Sequence, residues 1–151
     1  MAEAVRDFLR GEGRDGQGRL LAEVLAFDDG RIEAVHDFIQ WLFPLPDPSQ
    51  AVPGSPVLGG AEAAAIRADP RAREGLRAAL ARMGRFYAGT DHWLVRHDHN
   101  HRRITRIIAA VRDLLGREEA AAFHAAVAAR DRDAGGVIDP VSLGYWERAL
   151  G

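Results

Sequence analysis

Hydrophobic residues recur at helical spacing through most of the chain. After a glycine-rich stretch at 11–18, one helical face carries Leu20, Leu21, Val24, Leu25 and Phe27. The same spacing predicts further helices over 1–10, 61–68, 70–87, 100–115, 117–130 and 140–150. No segment alternates with period two for long enough to indicate a strand. The pattern therefore predicts an all-α protein, which we expect to form an orthogonal helical bundle.

The segment 31–43 has the densest hydrophobic pattern. At 100° per residue, more than half of the helix circumference is covered by Ile32, Val35, Phe38, Ile39, Trp41, Leu42 and Phe43. The polar side chains fall on one narrow stripe, formed by Glu33, His36, Asp37 and Gln40. This pattern predicts one continuous helix that is buried on most sides at the centre of the domain.

Five prolines lie between positions 44 and 56. Proline removes backbone donors and restricts its neighbours, so we expect an extended crossover loop here. The residues before this loop are too few for an independent core. We therefore predict one domain over 1–151. In the helix predicted over 70–87, Asp69 is expected to be the cap and Pro70 the first residue.

Composition narrows the function. The chain has 151 residues, of which 47% are hydrophobic and 28% charged, as in ordinary globular proteins. A net charge of -2 argues against binding to nucleic acid. The absence of cysteine excludes disulfides, thiolate catalysis and sulfur-ligated zinc, and the absence of lysine excludes a Schiff base. No apolar run is long enough for a membrane span or resembles a signal peptide, so we expect a cytoplasmic protein.

Two short motifs match binding loops only in part. "GEGRDG" at 11–16 fits the dinucleotide fingerprint, but a helix is predicted before it where that site needs a strand. "DRDAGGVIDPVS" at 131–142 resembles a calcium loop. Gly135 and Ser142 stand where two acidic ligands are needed. The first motif is therefore interpreted as a loop and the second as a turn between helices.

"HDHNHRRITRI" at 97–107 places three histidines within five residues. In an extended segment all three would point the same way, as a metal site requires. In a helix only His97 and His101 share a face, next to Asn100. Three interpretations stay open: a helix start capped by Asp98 or Asn100 with histidines bonded to nearby backbone, a polar pocket for a small ligand, or a metal or haem site. The missing third ligand disfavours the last, so no metal or cofactor is predicted.

"HDFIQWLFPLP" at 36–46 and "HNHRRITRII" at 99–108 resemble the conserved region of the opioid growth factor receptor family. Three further strings lie along the chain in the order expected for the family, namely "FLRGEGRDGQGRLL", "RADPRAREGL" and "RMGRFYAG". The resemblance therefore covers roughly 8–130. Members in vertebrates are implied to recognise an enkephalin-type peptide, and this chain resembles a stand-alone prokaryotic-type member. It departs from the family at His36, where vertebrate members have tyrosine, and at Arg102, where leucine is usual. The resemblance implies no catalytic residues.

We therefore predict a non-enzymatic module that binds a small molecule or peptide, with no nucleic acid partner. Its polar site is expected between the two motifs and uses His36, Asp37, Gln40, Trp41, His97, His99, Asn100, His101, Arg103 and Arg106. Buried polar side chains need hydrogen-bond or ion-pair partners. The polar residues of 31–43 and those at the start of the 100–115 helix are therefore expected to contact each other. Asp37 or Gln40 is therefore expected within bonding distance of Asn100, His101 or Arg103.

Other interpretations of these residues remain. The chain is alternatively an enzyme or a metal or haem protein that uses the cluster from His97 to His101. It is alternatively a protein-interaction scaffold without a pocket. Single residues also have structural explanations, with Trp41 in the core and Arg106 on a solvated surface.

Overall fold

The computed structural model describes residues 4–151, which are all-α as predicted. This range contains nine helices, namely α1 (Ala4–Leu9), α2 (Leu21–Leu25), α3 (Asp29–Ala34), α4 (Ile39–Leu42), α5 (Gly60–Arg67), α6 (Pro70–Gly89), α7 (Asn100–Leu114), α8 (Arg117–Asp133) and α9 (Pro140–Leu150). Extended pairing within it is limited to one antiparallel bridge between Arg14 and Leu20. None of the described helices combines the length and apolar character that a membrane crossing needs.

The contacts between residues divide the chain into two compact units, Met1–Ala79 and Leu80–Gly151, with the boundary inside α6. The predicted bounds of α5, α7 and α9 agree with the structure to within one residue. The glycine-rich stretch at 11–18 is a loop after α1, as predicted. The first three residues of the predicted helix over 1–10 lie outside the described residues.

In the first unit, α1 packs against α4 and α5. The buried carboxylate of Glu62, from α5, accepts hydrogen bonds from the backbone N–H groups of Val5 and Arg6, each at 3.0 Å. Backbone N–H groups in the first turn of a helix have no acceptor within the helix. The Glu62 carboxylate supplies that acceptor for these two groups of α1. Phe8, also in α1, is fully buried and meets the ring of Trp41 edge-on at 5.6 Å.

Asp69 caps α6 as predicted and also forms a buried ion-pair network. Its Oδ1 accepts from the backbone N–H of Arg71 at 3.0 Å, and its Oδ2 accepts from Arg10 at 2.6 Å and from Arg6 at 2.9 Å. The hydrogen bond from Arg10, followed by that from Arg6, holds the pKa of Asp69 well below its usual value. The end of α1 is thereby tied to the start of α6.

The prediction of one helix over 31–43 is wrong. The α3 helix ends at Ala34, Val35 is extended with φ -95° and ψ 131°, and α4 begins only at Ile39. Within the intervening segment, the Asp37 carboxylate accepts a 2.8 Å hydrogen bond from Arg19. The break divides the polar stripe between two short helices and the segment that joins them, and in that segment Asp37 pairs with Arg19, which is distant in sequence.

In the second unit, α7 packs against α8 and α9, and α8 packs against α9. The isoleucine face of α7 is buried as predicted, with Ile104, Ile107 and Ile108 inaccessible to solvent. Trp146 of α9 is also fully buried, and its indole N–H donates to the backbone carbonyl of His101 at 3.0 Å. This bond joins the start of α7 to the middle of α9.

The predicted turn between α8 and α9 is present, but it is shorter than expected, because α8 continues to Asp133 and residues 134–139 form the link. The buried Asp131 carboxylate accepts hydrogen bonds from the backbone N–H groups of Val137 and Ile138, each at 3.0 Å. Gly135 and Gly136 have φ angles of +99° and +69°, a backbone conformation that favours glycine. The Asp131 oxygen that a calcium loop would use therefore stabilises the turn itself.

Candidate functional site

An open groove of about 550 Å³ lies at the starts of α7 and α9, within the second unit. It is lined by His97, Asp98, His99, His101, Arg102, Thr105, Asp139, Val141, Ser142 and Tyr145. Its volume falls in the range that is common for small-molecule sites, about 300–1,000 Å³. The three clustered histidines thus line one groove, although they do not share one helical face.

Asp98 fixes the start of α7. Its Oδ2 accepts hydrogen bonds from both the backbone N–H and the side-chain amide of Asn100, each at 2.9 Å. Asn100 is fully buried, and its side-chain oxygen accepts a 3.1 Å hydrogen bond from the Tyr87 hydroxyl. Asp98 thus accepts from the first backbone N–H of α7, although the N-cap position itself is His99, whose side chain forms no capping hydrogen bond. Asn100 is a structural residue of the helix start.

His101 forms a rigid part of the groove wall. The residue is 3% exposed, and its Nε2 lies 2.8 Å from the carbonyl oxygen of Trp93, so that nitrogen donates the hydrogen bond. Its own carbonyl oxygen accepts from the Thr105 hydroxyl at 3.1 Å and from the Trp146 indole at 3.0 Å. The predicted bonding of a histidine to nearby backbone is therefore confirmed for His101.

Asp139 connects the histidine segment to α9. Its Oδ1 accepts from the backbone N–H of Val141 at 3.1 Å and so caps α9. Its Oδ2 lies 3.5 Å from Nδ1 of His97, and its backbone N–H donates to the carbonyl of Arg96 at 3.1 Å. The residues before α7 and the start of α9 are consequently held together at the groove.

The other candidates near this groove have different positions. Asn100 and Arg103 are buried and are not among the lining residues. Arg106 is half-buried, and this burial lowers its pKa to about 10. Arg106 is therefore not a fully solvated surface arginine.

The candidates of the "HDFIQW" motif lie in the first unit. His36 is exposed, and the Asp37 carboxylate pairs with Arg19. Gln40 is 6% exposed, and its buried Oε1 accepts no hydrogen bond from the described residues. Trp41 is half-buried, which is less than a core position would be. The bonding of Asp37 or Gln40 to the polar residues of α7 stays a prediction.

Of the ten lining residues, three are predicted site residues, namely His97, His99 and His101. Asp98 is predicted only as a cap, Arg102 stands out only as a departure from the family pattern, and Ser142 only as a position of the rejected calcium loop. Thr105, Asp139, Val141 and Tyr145 are not among the predicted ligand-binding residues. The Asp139–Pro140 pair does carry a local signal, because aspartate followed by proline is typical of a helix start. The proximity of α9 to α7 follows from tertiary packing, which local spacing does not reveal.

The groove contains the residue types of a hydrolytic triad but not its contacts. Ser142, His97 and Asp139 all line it, yet the Ser142 hydroxyl forms no hydrogen bond to a histidine within residues 4–151. A nucleophile and its base normally lie within hydrogen-bonding distance. The described residues also include no cluster of three or more histidine or acidic side chains positioned for a metal ion.

No family model, curated protein or solved structure matches this chain.

Proposed function

We propose that this chain is a non-enzymatic ligand-binding module and that the groove at the starts of α7 and α9 is its binding site. The observation that carries this proposal is the convergence of His97, His99 and His101 with residues of α9 on one groove of about 550 Å³. A groove of this size accommodates a small molecule or the end of a short peptide.

Fixed side chains in the groove wall support this proposal. Asp98 and His101 are fixed by hydrogen bonds of 2.9 Å and 2.8 Å to Asn100 and Trp93. Val141 and Tyr145 add apolar surface, since they are 61% and 54% exposed. A preformed wall reduces the ordering cost of association, and exposed apolar groups provide the area that a ligand can bury.

The resemblance to the opioid growth factor receptor conserved region supports a peptide among the possible ligands. The motif "HNHRRITRII" that carries this resemblance forms the first turns of α7, where His99, His101 and Arg102 line the groove. An enkephalin-type peptide is therefore one candidate ligand. A cytoplasmic location and the absence of nucleic acid binding are parts of the same proposal and rest on the sequence.

Nuclear magnetic resonance with isotope-labelled protein tests the groove. We expect small-molecule and dipeptide mixtures to shift the backbone signals of residues 97–105 and 139–145. Ser142→Trp fills the groove and should abolish these shifts. Ala122→Trp, on the exposed side of α8, should preserve them. Shifts confined to other surfaces, or shifts that survive Ser142→Trp in a folded protein, would contradict the assignment.

A second titration addresses the ligand class that the family resemblance suggests. An enkephalin peptide should shift the same groove signals, whereas a peptide of the same composition in scrambled order should do so more weakly. Equal shifts from both peptides would mean that the groove does not recognise the enkephalin sequence.

A further inference from the structure

We infer that the groove selects ligands that carry an anionic oxygen group, a carboxylate or a phosphate, which Arg102 binds together with the hydroxyls of Ser142 and Tyr145. This inference rests on the proposed function and adds the chemical class of the ligand. It follows from which polar groups of the groove already have partners and which do not.

The acidic groups of the groove are already engaged. Asp98 Oδ2 accepts two hydrogen bonds from Asn100, each at 2.9 Å. Asp139 uses Oδ1 to cap α9 through Val141 at 3.1 Å, and its Oδ2 lies 3.5 Å from the His97 ring. A ligand with a positive charge or a strong donor would compete with these contacts.

Several donors of the groove have no such partner. Arg102, Ser142 and Tyr145 line the groove, and the guanidinium and the two hydroxyls form no hydrogen bond or ion pair with the rest of residues 4–151. Arginine offers a planar fork of donors that matches the two oxygens of a carboxylate or phosphate. Arg102 is therefore a cationic group of the groove that can only donate, next to two hydroxyls, and this suits a ligand that accepts hydrogen bonds.

The charge distribution agrees with this assignment. Asp98 and Asp139 stand at the starts of α7 and α9, where the partial positive charge of a helix N-terminus offsets a carboxylate. Arg102 has no acidic partner within the described residues, so its charge is not neutralised by a direct ion pair. Its guanidinium is therefore available to form an ion pair with an anionic group of a ligand.

The apolar side of the groove sets a further requirement. Val141 and Tyr145 are four residues apart in α9, so they lie on the same helical face, and both line the groove. The guanidinium of Arg148 lies 4.8 Å from the centre of the Tyr145 ring. A stacked ring next to an exposed valine favours a ligand whose anionic group is attached to an aromatic or aliphatic body.

Four small benzene derivatives that differ in their polar group test this inference. Benzoate and phenyl phosphate carry an anion, benzamide is neutral, and benzylamine is a cation. We expect at least one anion to shift the groove signals with an affinity about tenfold or more above that of benzamide, because an unpaired arginine contributes a charged hydrogen bond. The comparison of benzoate with phenyl phosphate shows which of the two groups is preferred.

Arg102→Gln should remove this preference and bring both anions to the level of benzamide. Arg132→Gln provides the matched control, since Arg132 is an exposed arginine of α8 outside the groove. If benzamide or benzylamine binds in the groove as tightly as the anions, or if Arg102→Gln leaves the anion affinity unchanged, the anion assignment is wrong while the binding groove stands. If none of the four probes shifts the groove signals, the anion assignment fails. If the small-molecule mixtures, the dipeptides and the enkephalin peptide also cause no shifts in the groove, the proposed function fails as well.

Discussion

The Tyr87 hydroxyl donates a 3.1 Å hydrogen bond to the side-chain oxygen of Asn100, and both residues are buried. Tyr87 lies near the end of α6, and Asn100 is the first residue of α7. The same Asn100 side chain donates to Asp98, which lines the groove. The hydrogen bond therefore connects the aromatic core of the second unit to the wall of the groove.

Tyr87→Phe is expected to destabilise the protein by about 1–3 kcal/mol, because it leaves the buried Asn100 oxygen without this donor. Chemical denaturation measures this change in the free energy of unfolding. Tyr145→Phe is the control, since the exposed Tyr145 hydroxyl donates no hydrogen bond within residues 4–151. We expect a change within about 0.5 kcal/mol for the control. Equal losses in both variants would show that the Tyr87 hydrogen bond adds no stability.

Gly75→Ala should be strongly destabilising, because a Cβ atom at position 75 would overlap the carbonyl oxygen of Leu9 and approach the side chain of Leu21 to 3.1 Å. The overlap is with backbone, so α1 and α6 would have to separate. Overpacking of this kind costs about 1–3 kcal/mol or more. Thermal or chemical denaturation gives the magnitude.

Gly84→Ala is the matched control in the same helix. A Cβ atom at position 84 would meet no other atom within 4 Å. Alanine is the better helix former, so this variant should gain about 0.5–1 kcal/mol. A gain in stability for both variants would contradict the close approach of α1 to α6.

Asp69→Asn should reduce the free energy of unfolding at neutral pH and make that free energy less sensitive to acid pH. The pKa of Asp69 is lowered in the folded protein, chiefly by the hydrogen bond from Arg10, so the ionised carboxylate stabilises the fold above the pKa of the unfolded chain. That contribution disappears as the pH falls below about 4. Asparagine keeps the capping oxygen of α6 but loses the ion pairs.

Denaturation at a series of pH values tests this prediction. The stability of the wild-type protein should fall more steeply below about pH 4 than that of Asp69→Asn. Asp47→Asn, at an exposed position, should follow the wild-type curve. Parallel curves for the wild type and Asp69→Asn would show that Asp69 does not carry the acid dependence.

The helices could be predicted where their boundaries have local causes. Asp69 and Pro70 start α6 through a cap and a favourable backbone angle, and Gly116, with φ +116°, separates α7 from α8. Both signals are contained in a few neighbouring residues. The hydrophobic spacing of 31–43 continues through the break and gives no such signal. The contact that Asp37 forms there is with Arg19, which is distant in sequence.

The same distinction explains the groove. The composition of the segment 97–101 indicates a candidate site by itself, because it places three histidines within five residues. Asp139, Ser142 and Tyr145 belong to α9, and they reach the groove only because α9 packs on α7. Hydrophobic spacing predicts that these helices exist, but it does not determine which of their polar ends meet.

Asp131→Ala is expected to destabilise the protein by about 1–3 kcal/mol, because it removes the acceptor of the buried N–H group of Ile138 and of the neighbouring N–H of Val137. Since the carboxylate is occupied in this way and acidic ligands are missing at Gly135 and Ser142, millimolar calcium should not change the melting temperature of the wild-type protein. Calorimetry measures both quantities. A melting temperature that rises with calcium in the wild type, and no longer does so in Asp131→Ala, would instead establish the 131–142 turn as a calcium site.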